Sequence, residues 1–91
     1  MAHRVELSTS ASRELRKLTK RIQPKQMKGI GEHISALAEN PRPPGVEKVE
    51  GYDNLWRVRS GDCRIVYTVE DDAMLLVVVR LGHRREVCRG L

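Results

Sequence analysis

Apolar residues recur every three or four positions in the first half of the chain and every second position in the later part. The pattern therefore predicts helices followed by strands. Val5 and Leu7 flank Glu6 and predict a short first strand. Ser8, Thr9 and Ser10 offer capping hydroxyls, and Ala11, Leu15, Leu18 and Ile22 then form one apolar stripe on a first helix. Pro24 suits the first turn of a second helix, whose stripe is Met27, Ile30, Ile34 and Leu37. Proline lacks an amide donor and disfavours helix just before itself, so Pro41, Pro43 and Pro44 stop this helix. The short connection between the helices predicts an antiparallel helix hairpin.

Beyond Gly45 the period becomes two. Trp56 to Arg59, a Ser60-Gly61-Asp62 turn and Arg64 to Val69 predict a β-hairpin. Glu70-Asp71-Asp72 predicts a further turn, and the apolar run Met74 to Val79 predicts a central strand covered on both faces and ended by Gly82. The fold class expected is α+β: an N-terminal strand, the helix hairpin, then an antiparallel sheet of three to four strands with the helices on one face. At 91 residues this is a single domain over residues 1–91.

Composition narrows the picture. The chain has no Phe, one Trp and two Tyr, so its core must be aliphatic. Residues 1–6 lack the apolar stretch of a signal peptide, and no apolar run approaches the ~20 residues of a membrane span, so a cytoplasmic location without a membrane partner is expected. Cys63 and Cys88 are then reduced thiols. Together with His83 they supply three possible zinc ligands, but no Cys-x-x-Cys pair and no fourth ligand accompany them, so neither metal nor cofactor is expected. The net charge of +5 makes nucleic acid or an acidic protein a candidate partner. Residues 1–28 carry +6, much of it on the first helix as Arg13, Arg16, Lys17, Lys20 and Arg21.

With Gly61 and Asp62 at the centre of the hairpin turn, Ser60 pairs with Cys63, Arg59 with Arg64, Val58 with Ile65, Arg57 with Val66 and Trp56 with Tyr67. Alternation then sorts Trp56, Val58, Ile65 and Tyr67 to the core face and Arg57, Arg59, Arg64 and Val66 to the other. Like charges set opposite one another on a sheet are destabilising by up to ~1 kcal/mol per pair. The arrangement is explained if an anion neutralises it, and the planar fork of arginine suits phosphate; three arginines splayed into water is the alternative. An antiparallel last strand would bring Gly82, His83, Arg84 and Arg85 beside this cluster. No Ser-His-Asp order, phosphate loop or dinucleotide motif is present. Arginine holds phosphate and stabilises a more charged transition state but is a poor base. His83 can transfer protons near neutral pH, or it is a surface histidine beside a glycine turn. His3 and His33 are expected on the surface without partners.

The segment Leu55-Trp56-Arg57-Val58-Arg59-Ser60-Gly61-Asp62-Cys63-Arg64-Ile65-Val66-Tyr67, taken with Val79-Arg80-Leu81-Gly82-His83-Arg84-Arg85-Glu86-Val87, resembles the RelE branch of the RelE/ParE toxin superfamily. The resemblance implies the toxin of a toxin–antitoxin pair, a ribosome-dependent endoribonuclease that cuts mRNA in the A site by 2′-hydroxyl attack. By position it implies catalytic roles for Arg57, Arg59, Arg64, Arg84 and His83, and RNA contacts for Arg85, Cys88 and Arg89. Cys88 stands where the family often has a tyrosine that orients the substrate base, and a thiol has no π-face to offer. Arg57 and Arg59 stand where some relatives have lysine, which removes a plausible general base. The partners implied are a cognate antitoxin, the ribosome and mRNA, with Arg13, Arg16, Lys17, Lys20 and Arg21 as a docking surface for ribosome or antitoxin. Two other functions fit the same residues: a non-enzymatic inhibitor of DNA gyrase, as in the ParE branch, or a catalytically weak RNA- or ribosome-binding module.

Overall fold

The computed structural model describes residues 2–61 and 63–83, with only the backbone described at His83. The elements are β1 (Arg4–Leu7), α1 (Thr9–Thr19), α2 (Pro24–Glu39), β2 (Glu47–Lys48), β3 (Trp56–Ser60), β4 (Cys63–Glu70) and β5 (Leu75–His83). They form a five-stranded sheet in the order β1-β5-β4-β3-β2. β2 to β5 are antiparallel neighbours, as the alternation predicts. β1 adds to β5 in parallel, pairing Arg4 with Leu75 through Leu7 with Val78.

Local chemistry fixes the helix ends. The Ser8 hydroxyl accepts from the Ala11 amide at 3.0 Å and donates to the Val79 carbonyl at 3.0 Å, so one side chain both starts α1 and ties it to β5. Pro24 opens α2, and Gln23 and Gln26 form a reciprocal capping box there. The stripes of both helices meet the sheet in one core. Ala11, Leu18, Ile30 and Leu37 are buried with Val58, Ile65, Tyr67, Leu76, Val78 and Leu81, and Trp56 packs at the margin.

The hairpin register is the expected one, from Trp56 opposite Tyr67 to Ser60 opposite Cys63. Gly61 takes φ +62°, the left-handed conformation a two-residue hairpin loop needs and glycine adopts without strain.

The last strand differs from expectation. Met74 belongs to the preceding turn, with φ +51° and its amide donating to the Asp71 carbonyl, so the strand starts at Leu75. Gly82 does not end it: Gly82 pairs with Arg64 and His83 with Cys63, because β4 offers backbone partners that far. β5 is not covered on both faces either. Leu76, Val78 and Leu81 are buried, but Leu75 and Val77 are half-buried, since both helices lie on one side.

A bulge sets the phase within β5. Tyr67 pairs with Val78 but Val66 pairs with Arg80, so Val79 is an extra residue. Strict alternation from Leu76 and Val78 would drive Arg80 into the core. With the bulge, Leu81 is the buried residue and Val79 packs beneath Val49, Leu55 and Val66 in a second, smaller apolar cluster.

His3 also departs from expectation. Its side chain is 10% exposed, its Nε2 lies 3.4 Å from the Asp71 carboxylate, and its Nδ1 is buried without a partner. Arg42 joins Asp71 at 3.1 Å, and the Arg42 hydrogen bond holds the Asp71 carboxyl below the usual carboxylate range.

The Tyr67 hydroxyl donates to the Pro41 carbonyl. Burial pushes its pKa up to about 12, against the opposing pull of the Arg42 guanidinium. The unfolded phenol ionises near 10. The stabilisation that follows from keeping it neutral is therefore complete below about pH 10 and is lost as pH rises through about 12. The urea midpoint should fall across that window in the wild type. Tyr67→Phe should flatten this limb, and an unchanged slope would count against the assignment.

Candidate functional site

The hairpin holds three arginines on the sheet face away from the helices. Arg59 and Arg64 are direct cross-strand partners, and Arg57 is two residues from Arg59 on the same face. Arg59 is exposed, whereas Arg57 and Arg64 are half-buried. Val66, the fourth residue of this face, is fully buried beneath Val49 and Leu55. The loop carrying those two residues thus walls one side of the arginine cluster.

The hydrogen-bond inventory of the cluster is incomplete. The Nε atoms of Arg57 and Arg64 are buried without a partner. A buried, unsatisfied donor on a charged group costs of order 1–3 kcal/mol or more. Two such donors lie on adjacent strands with a third guanidinium beside them, and the forked geometry of these donors is of the kind that pairs with carboxylate or phosphate oxygens.

Glu47 enters the cluster from β2, directly opposite Arg57 in register, with its carboxylate 3.3 Å from an Arg57 terminal nitrogen. This contact engages one terminal nitrogen of the fork and leaves Nε unpaired. Sequence reading passed over Glu47 because it lies in a polar stretch ten positions before Arg57, in a strand of only two residues. Its one signal was an acid two residues before the buried Val49.

The end of β5 joins the arginine hairpin to α1. Gly82 is the partner of Arg64 and also lines a cleft of about 200 Å³ with Glu14, Lys17, Leu18, Arg21 and Leu81. Of the basic residues predicted on the first helix, Arg13, Arg16 and Lys17 lie on α1 while Lys20 and Arg21 fall just past its end at Thr19; all five are exposed, and Lys17 and Arg21 come to this cleft. The backbone of His83 reaches Cys63, at the mouth of the hairpin. Arg84, Arg85, Cys88 and Arg89 lie outside the described residues.

Two helices against a five-stranded mixed sheet match the α+β fold of RelE-like toxins, and comparison with known proteins agrees. Residues 5–88 match the profile of the ParE toxin of type II toxin–antitoxin systems (parDE). The chain belongs to this family, within the RelE/ParE superfamily, and its similarities run to the RelE branch. It is 28% identical over 87 residues to a Methanocaldococcus jannaschii protein that carries the RelE1 toxin name, covering 92% of each chain. The archaeal RelE–RelB complex from Pyrococcus horikoshii superposes with a TM-score of 0.74 at 25% identity, covering 92% of this chain and 97% of that one. The RelBE2 complex from Mycobacterium tuberculosis gives 0.75 at 22% identity, with 92% and 100% covered. The E. coli DinJ–YafQ complex gives 0.77 at 19% identity, with 93% and 97% covered. Among the described residues no helix is long and apolar enough to cross a membrane.

Proposed function

We propose that this toxin is an endoribonuclease that stops translation by cutting mRNA in the ribosomal A site. The observation that carries the reading is the cluster of Arg57, Arg59 and Arg64 on one rigid face, with two buried guanidinium Nε atoms unpartnered. In this reaction a nucleotide's 2′-hydroxyl attacks the adjacent phosphorus. The 2′-oxygen–phosphorus bond forms, the bond to the 5′-oxygen of the next nucleotide breaks, and the products are a 2′,3′-cyclic phosphate and a 5′-hydroxyl. The phosphate gains negative charge on the way to the transition state, and preorganised arginines stabilise that charge more than they stabilise the ground state. Arg84 follows directly on the last described residue, and by its resemblance it stabilises the leaving oxygen.

Arginine remains protonated and cannot take the 2′-hydroxyl proton. The Glu47 carboxylate, held against Arg57, is the base that the geometry supports best. General-base contributions are roughly 10²–10⁴-fold, so Glu47→Gln should slow single-turnover cleavage by that order and leave ribosome binding intact. Cleavage at the wild-type rate would remove Glu47 from this role.

Single-strand binders usually stack bases on aromatic rings, but here Trp56 and Tyr67 belong to the core side of the sheet and Tyr52 is the one exposed aromatic among the described residues, so the ribosome is the expected source of further base positioning. The cognate antitoxin is the second partner of the reading, in line with the complexes formed by the structural relatives. The exposed basic residues of α1 would speed its association electrostatically, an effect that weakens with salt.

The test is to add the purified protein to a translation extract and map new mRNA 5′ ends. Cuts within codons of ribosome-bound message are expected. Equal cutting of free RNA would remove ribosome dependence. The match to the ParE profile favours a second reading, inhibition of DNA gyrase without catalysis. Loss of supercoiling activity with translation untouched would establish that reading.

A further inference from the structure

β1 covers β5 only as far as Val78, because the chain turns into α1 after Leu7. Beyond that point α1 takes over the edge. The Ser8 hydroxyl donates to the Val79 carbonyl, and Glu14 accepts from the Leu81 amide at 2.9 Å. The same carboxylate receives Arg80 Nε at 3.2 Å on each of its oxygens. Glu14 is the one acid in α1, and its side chain is 24% exposed, so this is a partly desolvated carboxylate with three donor contacts. An amide hydrogen bond to a charged acceptor is among the stronger kinds. Next along the strand, Gly82 faces Arg64.

We propose that Glu14 is a positioning residue for the nuclease reaction: its hydrogen bond to the Leu81 amide holds the end of β5 in register, and with it the Gly82 backbone that pairs with Arg64. The inference rests on the nuclease reading above. Glu14 is on the helix side of the sheet and does not contact the substrate. Its removal changes the fraction of molecules in which Gly82 backs Arg64, and therefore kcat, while Arg57 and Arg59 still hold the phosphate and KM is unaffected. Glutamine can still accept from the Leu81 amide, whereas alanine cannot.

The experiment measures cleavage on mRNA-programmed ribosomes for wild type, Glu14→Gln and Glu14→Ala, together with amide hydrogen exchange at Leu81 and Leu76. Glu14→Ala should lose about tenfold in kcat with KM within twofold of wild type. Exchange at Leu81 should rise at least tenfold, with Leu76 in the β1-paired part of the strand unchanged. Glu14→Gln should recover most of both. If Glu14→Ala raised exchange at Leu76 as much as at Leu81, or kcat stayed at the wild-type value, the positioning role would be overturned. A wild type that cuts no mRNA would overturn the nuclease reading instead, and the exchange data would still report on the Glu14 bond.

Discussion

Replacing Arg64 by alanine should lower mRNA cleavage on ribosomes by roughly 10²–10³-fold, the usual loss when one preorganised donor to a developing oxyanion is removed. Arg64 is held between strands on both sides. It pairs with Arg59 on one side and Gly82 on the other, and its Nε is buried without a partner. The same substitution removes a like-charge cross-strand pair, which costs up to ~1 kcal/mol. The variant should therefore be at least as stable as wild type while nearly inactive. Rate constants from 5′-end mapping and urea melts of the same preparations test both halves. Full activity in Arg64→Ala would detach the arginine cluster from the chemistry, and a large loss of stability would make Arg64 a structural residue.

Leu76→Ala should have the largest effect on folding. Leu76 is fully buried in β5, between Val5 of β1 and Val69 of β4. Truncating a buried leucine costs about 2–5 kcal/mol, the spread depending on how far the cavity collapses. A domain of this size has about 5–14 kcal/mol in total, at 0.05–0.15 kcal/mol per residue. The variant should therefore lose a large share of its stability, read as a fall in urea midpoint at unchanged m-value. A loss under 1 kcal/mol would mean that neighbouring side chains close the gap.

What the sequence disclosed followed the range of the interactions. The arginine hairpin is local: a Gly-Asp turn flanked by alternating residues fixes its register, and Trp56 pairs with Tyr67 as expected. The helix stripes were equally plain, since each stripe residue is set by its neighbours three and four positions away. What escaped reading came from partners distant in the chain. Nothing in Val5 or Leu7 says that they lie beside β5 in parallel. Glu47 meets Arg57 only because a two-residue strand extends the sheet, and Glu14 meets Leu81 only because β1 is shorter than β5. Val49 and Leu55 sit in a connection without a regular apolar period, yet they bury Val66 on the arginine side.

The irregularity at Val79 has an evolutionary corollary. It gives the final strand an odd-even constraint: a strand of the same length without the bulge would place Arg80 where Leu81 now fills the interior. Loss of Val79 itself should be tolerated, because it leaves Arg80 opposite Val66 and Leu81 opposite Ile65 in a regular ladder. A single-residue insertion between Val78 and Gly82 should be selected against more strongly, because the strand must then absorb a second unpaired residue or lose the pairing of Gly82 with Arg64.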